Sequence, residues 1–93
     1  MDRKMILDNA VENVTGQRVD DYGTPENNFA KIAELWTAYK GADFTAHDVA
    51  MMMALLKVAR IKSSPWKSDS YIDLAGYAAC AGELAESAGA RGG

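Results

Sequence analysis

The feature that most constrains this chain is the segment Ala46 to Lys62, AHDVAMMMALLKVARIK. Val49, Met51, Met52, Met53, Leu55, Leu56, Val58 and Ile61 fall on almost every side of it at helical spacing. Thr45, with Asp48 three residues on, forms a capping-box pattern at its start, although Asp reaches back less well than Glu. Pro65 closes it at the other end. A helix that is apolar nearly all round is expected to lie centrally, with neighbours on several faces. The methionines read either as fillers of such a core or as an adaptable binding surface.

Three more helices follow from the same rules. Residues 2–17 place Met5 (or Ile6), Ala10, Val11 and Val14 on one stripe, and Thr15-Gly16 offers a left-handed stop. Thr24-Pro25-Glu26 is a strong start for a helix over 25–39, with an oxygen for the orphan amides, a preset φ and an acid at the positive end. Its apolar face is Phe29, Ile32, Ala33, Leu35, Trp36 and Tyr39, and Lys40-Gly41 ends it. A fourth helix over 69–87 is rich in Ala and carries Gly76 and Gly82, residues that cost helix stability and suggest a close helix approach. The approaching element is either the third helix or a second copy of the chain, so a homo-oligomer through the small-residue helix is expected. In the turn before it, Trp66 reads as a lid over the core or as an exposed partner anchor.

No stretch alternates with period two. The expectation is an all-α, four-helix bundle-like domain over residues 1–87, followed by a flexible tail over 88–93. With 93 residues there is room for one core. A net charge of −3 argues against broad nucleic-acid binding. Cys80 is the one cysteine, which excludes an internal disulfide, fits a reducing cytosol and reads as an inert buried thiol. No apolar run approaches the roughly 20 residues of a bilayer span, and the N-terminus lacks the apolar stretch of a signal peptide.

Two constellations could carry chemistry. Lys57 and Arg60 share a face near the end of the third helix, and Asp69 and Asp73 share one at the start of the fourth. A hairpin brings those ends together, as an ion-pair cluster in which Arg60 meets Asp73 with Lys57 nearby, or as a phosphate site in which Lys57 and Arg60 take phosphoryl oxygens and carboxylates hold Mg²⁺. Asp48 reads either as a capping residue or as a further metal ligand. His47 beside it diverges by about 100° and adds no chelating face. The second constellation is the YGTPENNF turn. There Tyr22 could stack on a base while Asn27 and Asn28 read polar edges, or the turn could be simply rigid.

The residues Tyr22-Gly23, Asn28-Phe29, Ile32-Ala33, Leu35-Trp36, Asp48-Val49-Ala50, Met52, Leu55-Leu56-Lys57, Ala59-Arg60, Asp69 and Asp73-Leu74-Ala75-Gly76-Tyr77-Ala78-Ala79 resemble a family of short tailed-phage and prophage proteins. That family is a domain of unknown function, and the resemblance spans about residues 18 to 85. It implies a phage protein acting in the bacterial cytoplasm. More distantly, DSYIDLAGYAA is similar to the metal-bearing half of all-α nucleotide pyrophosphohydrolases of the MazG type. In those enzymes an ExxE and an ExxD pair hold Mg²⁺ against a triphosphate. Here Asp73 could match the final aspartate, Asp69 is displaced by one residue, and no ExxE occurs.

Three functions follow as expectations. The first is a binder of a phosphorylated nucleotide through Tyr22, Asn28, Lys57 and Arg60, sequestering a host signal nucleotide. The second is a divergent Mg²⁺-dependent pyrophosphohydrolase using Asp48, Asp69 and Asp73. The third is a ligand-free interaction module working through Trp66 and the small-residue helix.

Overall fold

The computed structural model describes residues 1–16, 19 and 23–87. Tyr22 and the tail expected over 88–93 lie outside the described residues, as does most of the loop before Gly23. Four helices are present among the described residues: α1 (Arg3–Thr15), α2 (Pro25–Lys40), α3 (Ala46–Ser63) and α4 (Ser68–Ser87), with no strand. The all-α architecture read from the sequence is the one observed.

Each start has a local cause. Asp2 accepts from the Met5 amide at 2.9 Å, and Thr24 accepts from the Asn27 amide at 3.3 Å with Pro25 in the first turn. Thr45 and Asp48 form a complete capping box, each side chain accepting from the other's amide at 3.0 Å. The ends differ. Gly41 is left-handed at φ 73°, but Gly16 is not, with φ −95°. There α1 ends on a bond from the Gly16 amide to the Glu12 carbonyl, so the left-handed stop expected at Gly16 is absent. The loop after Gly41 is pinned to α2 twice. The Phe44 amide donates to Thr37 Oγ1 at 2.9 Å, and the Phe44 ring stands edge-on to Trp36 with centroids 5.7 Å apart.

The helices α3 and α4 form an antiparallel hairpin. Val49 and Ala50, at the start of α3, pack with Ala81 near the end of α4, and Phe29 and Ala33 of α2 complete the buried cluster. Helix α1 lies along α4, where a Cβ on Gly76 would sit 3.3 Å from Val14 Cγ1. The hub is therefore α4, which packs against each of the other three helices. Of its small residues Ser70, Gly76 and Ala81 are buried together with Ile72, whereas Gly82 is exposed with open space beside it, so the close approach expected at both glycines is found at Gly76 alone.

This corrects the expectation for α3. Only Val49, Ala50 and Ala54 of α3 are buried, while Met51, Met52, Leu55, Leu56 and Val58 are exposed. Only α2 and α4 pack extensively on α3, which covers one long side of it and leaves the opposite side open. Trp66 is likewise no lid. It is 76% exposed in a turn held by a 2.9 Å bond from Tyr71 Oη to the Pro65 carbonyl. Among the described residues no helix is long and apolar enough to cross a membrane.

Candidate functional site

A groove of about 680 Å³ opens between α1, the beginning of α2 and the first half of α4. That volume lies in the range of pockets that hold small organic ligands. Helix α1 contributes Asn9, Asn13 and Val14; Asn9 and Asn13 are four apart and so present two amides on one face. Helix α2 enters with Pro25, Asn28, Phe29 and Ile32, so that its amino-terminal turn borders the groove. From α4 come Asp69 and Asp73, one turn apart, then Gly76, Tyr77 and Cys80. Phe29 and Tyr77 hold one another at 5.9 Å between ring centroids and form the apolar floor.

The polar groups are placed by packing. Asp73 Oδ2 accepts from Lys57 Nζ at 2.9 Å, and the lysine side chain is only 16% exposed. Lys57 falls on the same α3 stripe as Val49, Ala50, Met53 and Ala54, so its stem is laid against α4 and its ammonium reaches Asp73. One oxygen of Asp73 is thus occupied at the groove edge. Cys80, deeper in the groove, has its thiol pushed above the ordinary value by desolvation first and by the carboxylates of Glu26 and Glu83 second. It is neutral at pH 7, but it is half-buried and lines the groove, so the thiol is not enclosed as the buried reading expects.

Of the residues singled out in the sequence, the groove brings together Asn28, Asp69 and Asp73, with Lys57 behind Asp73. Arg60 does not join them. It lies exposed in the last turn of α3 and forms no ion pair among the described residues, so the expected Arg60–Asp73 pair is replaced by Lys57–Asp73. Asp48 is also elsewhere. Its carboxylate caps the amino end of α3, whose Val49 and Ala50 pack at the level of Ala81, roughly 18 Å along α4 from Asp69. Asp48, Asp69 and Asp73 therefore make no common metal set, and no group of three His, Cys, Asp or Glu side chains suited to a metal occurs among the described residues. Tyr22 lies outside the described residues.

Sequence reasoning missed Asn9 and Asn13 as site residues. The available signal was an uncharged amide pair at i, i+4 on a helix whose other exposed side is charged.

The fold and groove define a small all-α domain with a polar cleft built on its hub helix. The family described as "Domain of unknown function (DUF6378)" matches residues 5–85, and the chain belongs to it. The chain is 50% identical over 74 residues to the Gene 55 protein of Mycobacterium phage L5, covering 78% of this chain and 47% of that protein. It is 40% identical over 81 residues to the Gene 55 protein of Mycobacterium phage D29, covering 87% of this chain and 54% of that protein. The chain thus spans about half the length of the curated relatives it matches. No solved structure matches it significantly.

Proposed function

We propose that the groove binds a phosphorylated, nucleotide-type small molecule, and that this phage-family domain sequesters such a ligand in the cytoplasm of the bacterial host without turning it over. The observation that supports this most is the convergence of three amide side chains, two carboxylates and an aromatic floor on one cleft of ligand size. Amides pair donors with acceptors in the pattern of a base or ribose edge, although Asn9 Nδ2 already donates to the Met5 carbonyl at 2.7 Å, and Tyr77 and Phe29 offer apolar surface.

The charged part of the ligand needs a separate account. No lysine or arginine occurs among the described lining residues. Phosphate is therefore approached through Mg²⁺, which takes one or two carboxylates and completes its shell with phosphate oxygens and water. Asp69 and the open oxygen of Asp73 would hold that ion. The amino-terminal turn of α2 borders the same cleft and favours anions. Turnover as a pyrophosphohydrolase is the weaker reading, because a second acidic pair does not line the described groove.

A thermal-shift panel of mono-, di-, tri- and cyclic nucleotides, each with and without Mg²⁺, tests the proposal. A ligand at a hundred times its dissociation constant adds about 2.7 kcal/mol, a shift of roughly 10–20 °C in a domain of this size. Pyrophosphate release in the same wells would favour the enzyme. A second reading, an interaction module, draws support from the exposure of Trp66, and it would stand if no nucleotide moves the melting point.

A further inference from the structure

The apolar residues of α3 that the fold leaves uncovered are not scattered. At about 100° per residue, the inward stripe is Ala46, Val49, Ala50, Met53, Ala54, Lys57 and Ile61. Opposite it runs a second stripe of Asp48, Met51, Met52, Leu55, Val58, Ala59 and Lys62, with the three-and-four spacing of a helix-pairing seam. Leu55 at its middle is 65% exposed, and Met51, Met52 and Val58 are each more than two-fifths exposed.

The stripe is symmetric in charge about Leu55. Asp48 lies seven residues before it and Lys62 seven residues after, two helical turns in each direction. Asp48 Oδ2 is committed to the Thr45 amide, and its other oxygen can receive a cation from outside. The helix presents its acid at the amino end and its base at the carboxyl end, so a parallel copy would set like charges side by side. An antiparallel copy sets unlike charges together and opposes the two helix dipoles.

We propose that this face is the interface of a two-fold symmetric dimer of the chain, in which α3 packs antiparallel on α3 of a second copy with Leu55 on the axis. Leu55 meets Leu55 once, on the axis, while Met52–Val58, Met51–Ala59 and Asp48–Lys62 each occur twice, as an isologous interface requires. The exposed apolar side chains of the stripe offer on the order of 400 Å² per copy, near the size of a functional patch on a monomer. Two copies with their charged rims reach roughly the 1,000 Å² that separates a specific association from a casual one. The dimer is independent of the groove, which lies across α1, α2 and α4.

Light scattering on the eluting full chain, across a concentration series, reads the result. The expected mass is that of two chains, and Leu55→Glu, which puts two carboxylates on the axis, gives the mass of one chain with an unchanged helical spectrum. Lys62→Glu weakens association about tenfold, since both rim pairs are lost at once. In a Cys80→Ser background, Leu55→Cys forms an interchain disulfide on mild oxidation, whereas Met51→Cys, whose counterpart is Ala59, does not. A single-chain mass at every concentration overturns the dimer. So does a dimer that survives Leu55→Glu, because its interface would then lie elsewhere, for instance on the exposed Ala78, Ala79 and Gly82 of α4.

Discussion

Lys57 Nζ and Asp73 Oδ2 stand 2.9 Å apart across the α3–α4 hairpin, and the pair closes one edge of the groove that Asp73 lines. A largely buried lysine with one carboxylate partner makes the pair asymmetric in its consequences. Removing only Asp73 strands an ammonium, whereas removing both charges strands nothing. Asp73→Ala is expected to lower unfolding free energy by about 1–3 kcal/mol. Lys57→Met with Asp73→Leu is expected to recover most of that loss. Urea midpoints of Lys57→Met, Asp73→Leu and the double variant close the cycle and give the coupling directly; additive losses would contradict the pairing.

Gly76 faces Val14 with room for no more than a methyl group. Gly76→Val forces α1 away from α4 and is expected to cost about 1–3 kcal/mol. Val14→Ala in the same chain should return part of it. Thermal denaturation checks this, and a Gly76→Val protein as stable as the parent would show that α1 does not pack there.

Asp48 is a cap in the structure and Asp69 a groove residue, so their variants should separate. Thr45→Ala is expected to lower stability by about 1 kcal/mol, and Asp48→Ala to act in the same direction. Neither should alter any effect of Mg²⁺ on ligand affinity. Asp69→Asn should leave stability nearly unchanged and reduce that Mg²⁺ effect. Calorimetric titration with and without the metal distinguishes the two behaviours.

The raised pKa of Cys80 fixes both a rate and a stability trend. Alkylation by iodoacetamide should be slow at neutral pH and accelerate only above the pH at which a free thiol ionises. Because the folded state holds the proton more tightly than the unfolded chain, the contribution to stability is complete below the ordinary thiol pKa. It is lost as pH rises toward the folded value. Cys80→Ala should remove that alkaline decline, as followed by urea denaturation at several alkaline pH values.

The sequence made the helix boundaries legible because their causes are local. Thr24-Pro25-Glu26 and the Thr45/Asp48 box carry their hydrogen bonds within one turn, and they start α2 and α3 where expected. The coverage of α3 was not legible. Its apolar residues point both ways, and which side meets a neighbour depends on α2 and α4. The same limit governed Lys57 and Arg60. Three positions apart, both were near enough to Asp73 in sequence terms, but only Lys57 lies on the packed stripe and its Nζ is bonded there. Asn28, Asp69 and Asp73 were legible as polar groups near helix starts. The i, i+4 spacing marks Asn9 and Asn13 as a pair on one face, but they join the groove only because α1 docks along α4, which that spacing does not reveal.

The central claim is that amides from α1 and α2 and carboxylates from α4 serve one ligand. Side-chain amide resonances of Asn9, Asn13 and Asn28, assigned by single Asn→Asp variants and followed while a nucleotide that raises the melting point is titrated in with Mg²⁺, test it most directly. All three are expected to move together and saturate at one dissociation constant, with the Leu55 methyls unchanged. Perturbations confined to α3 or to Trp66, with the three amides unmoved at saturation, would contradict it.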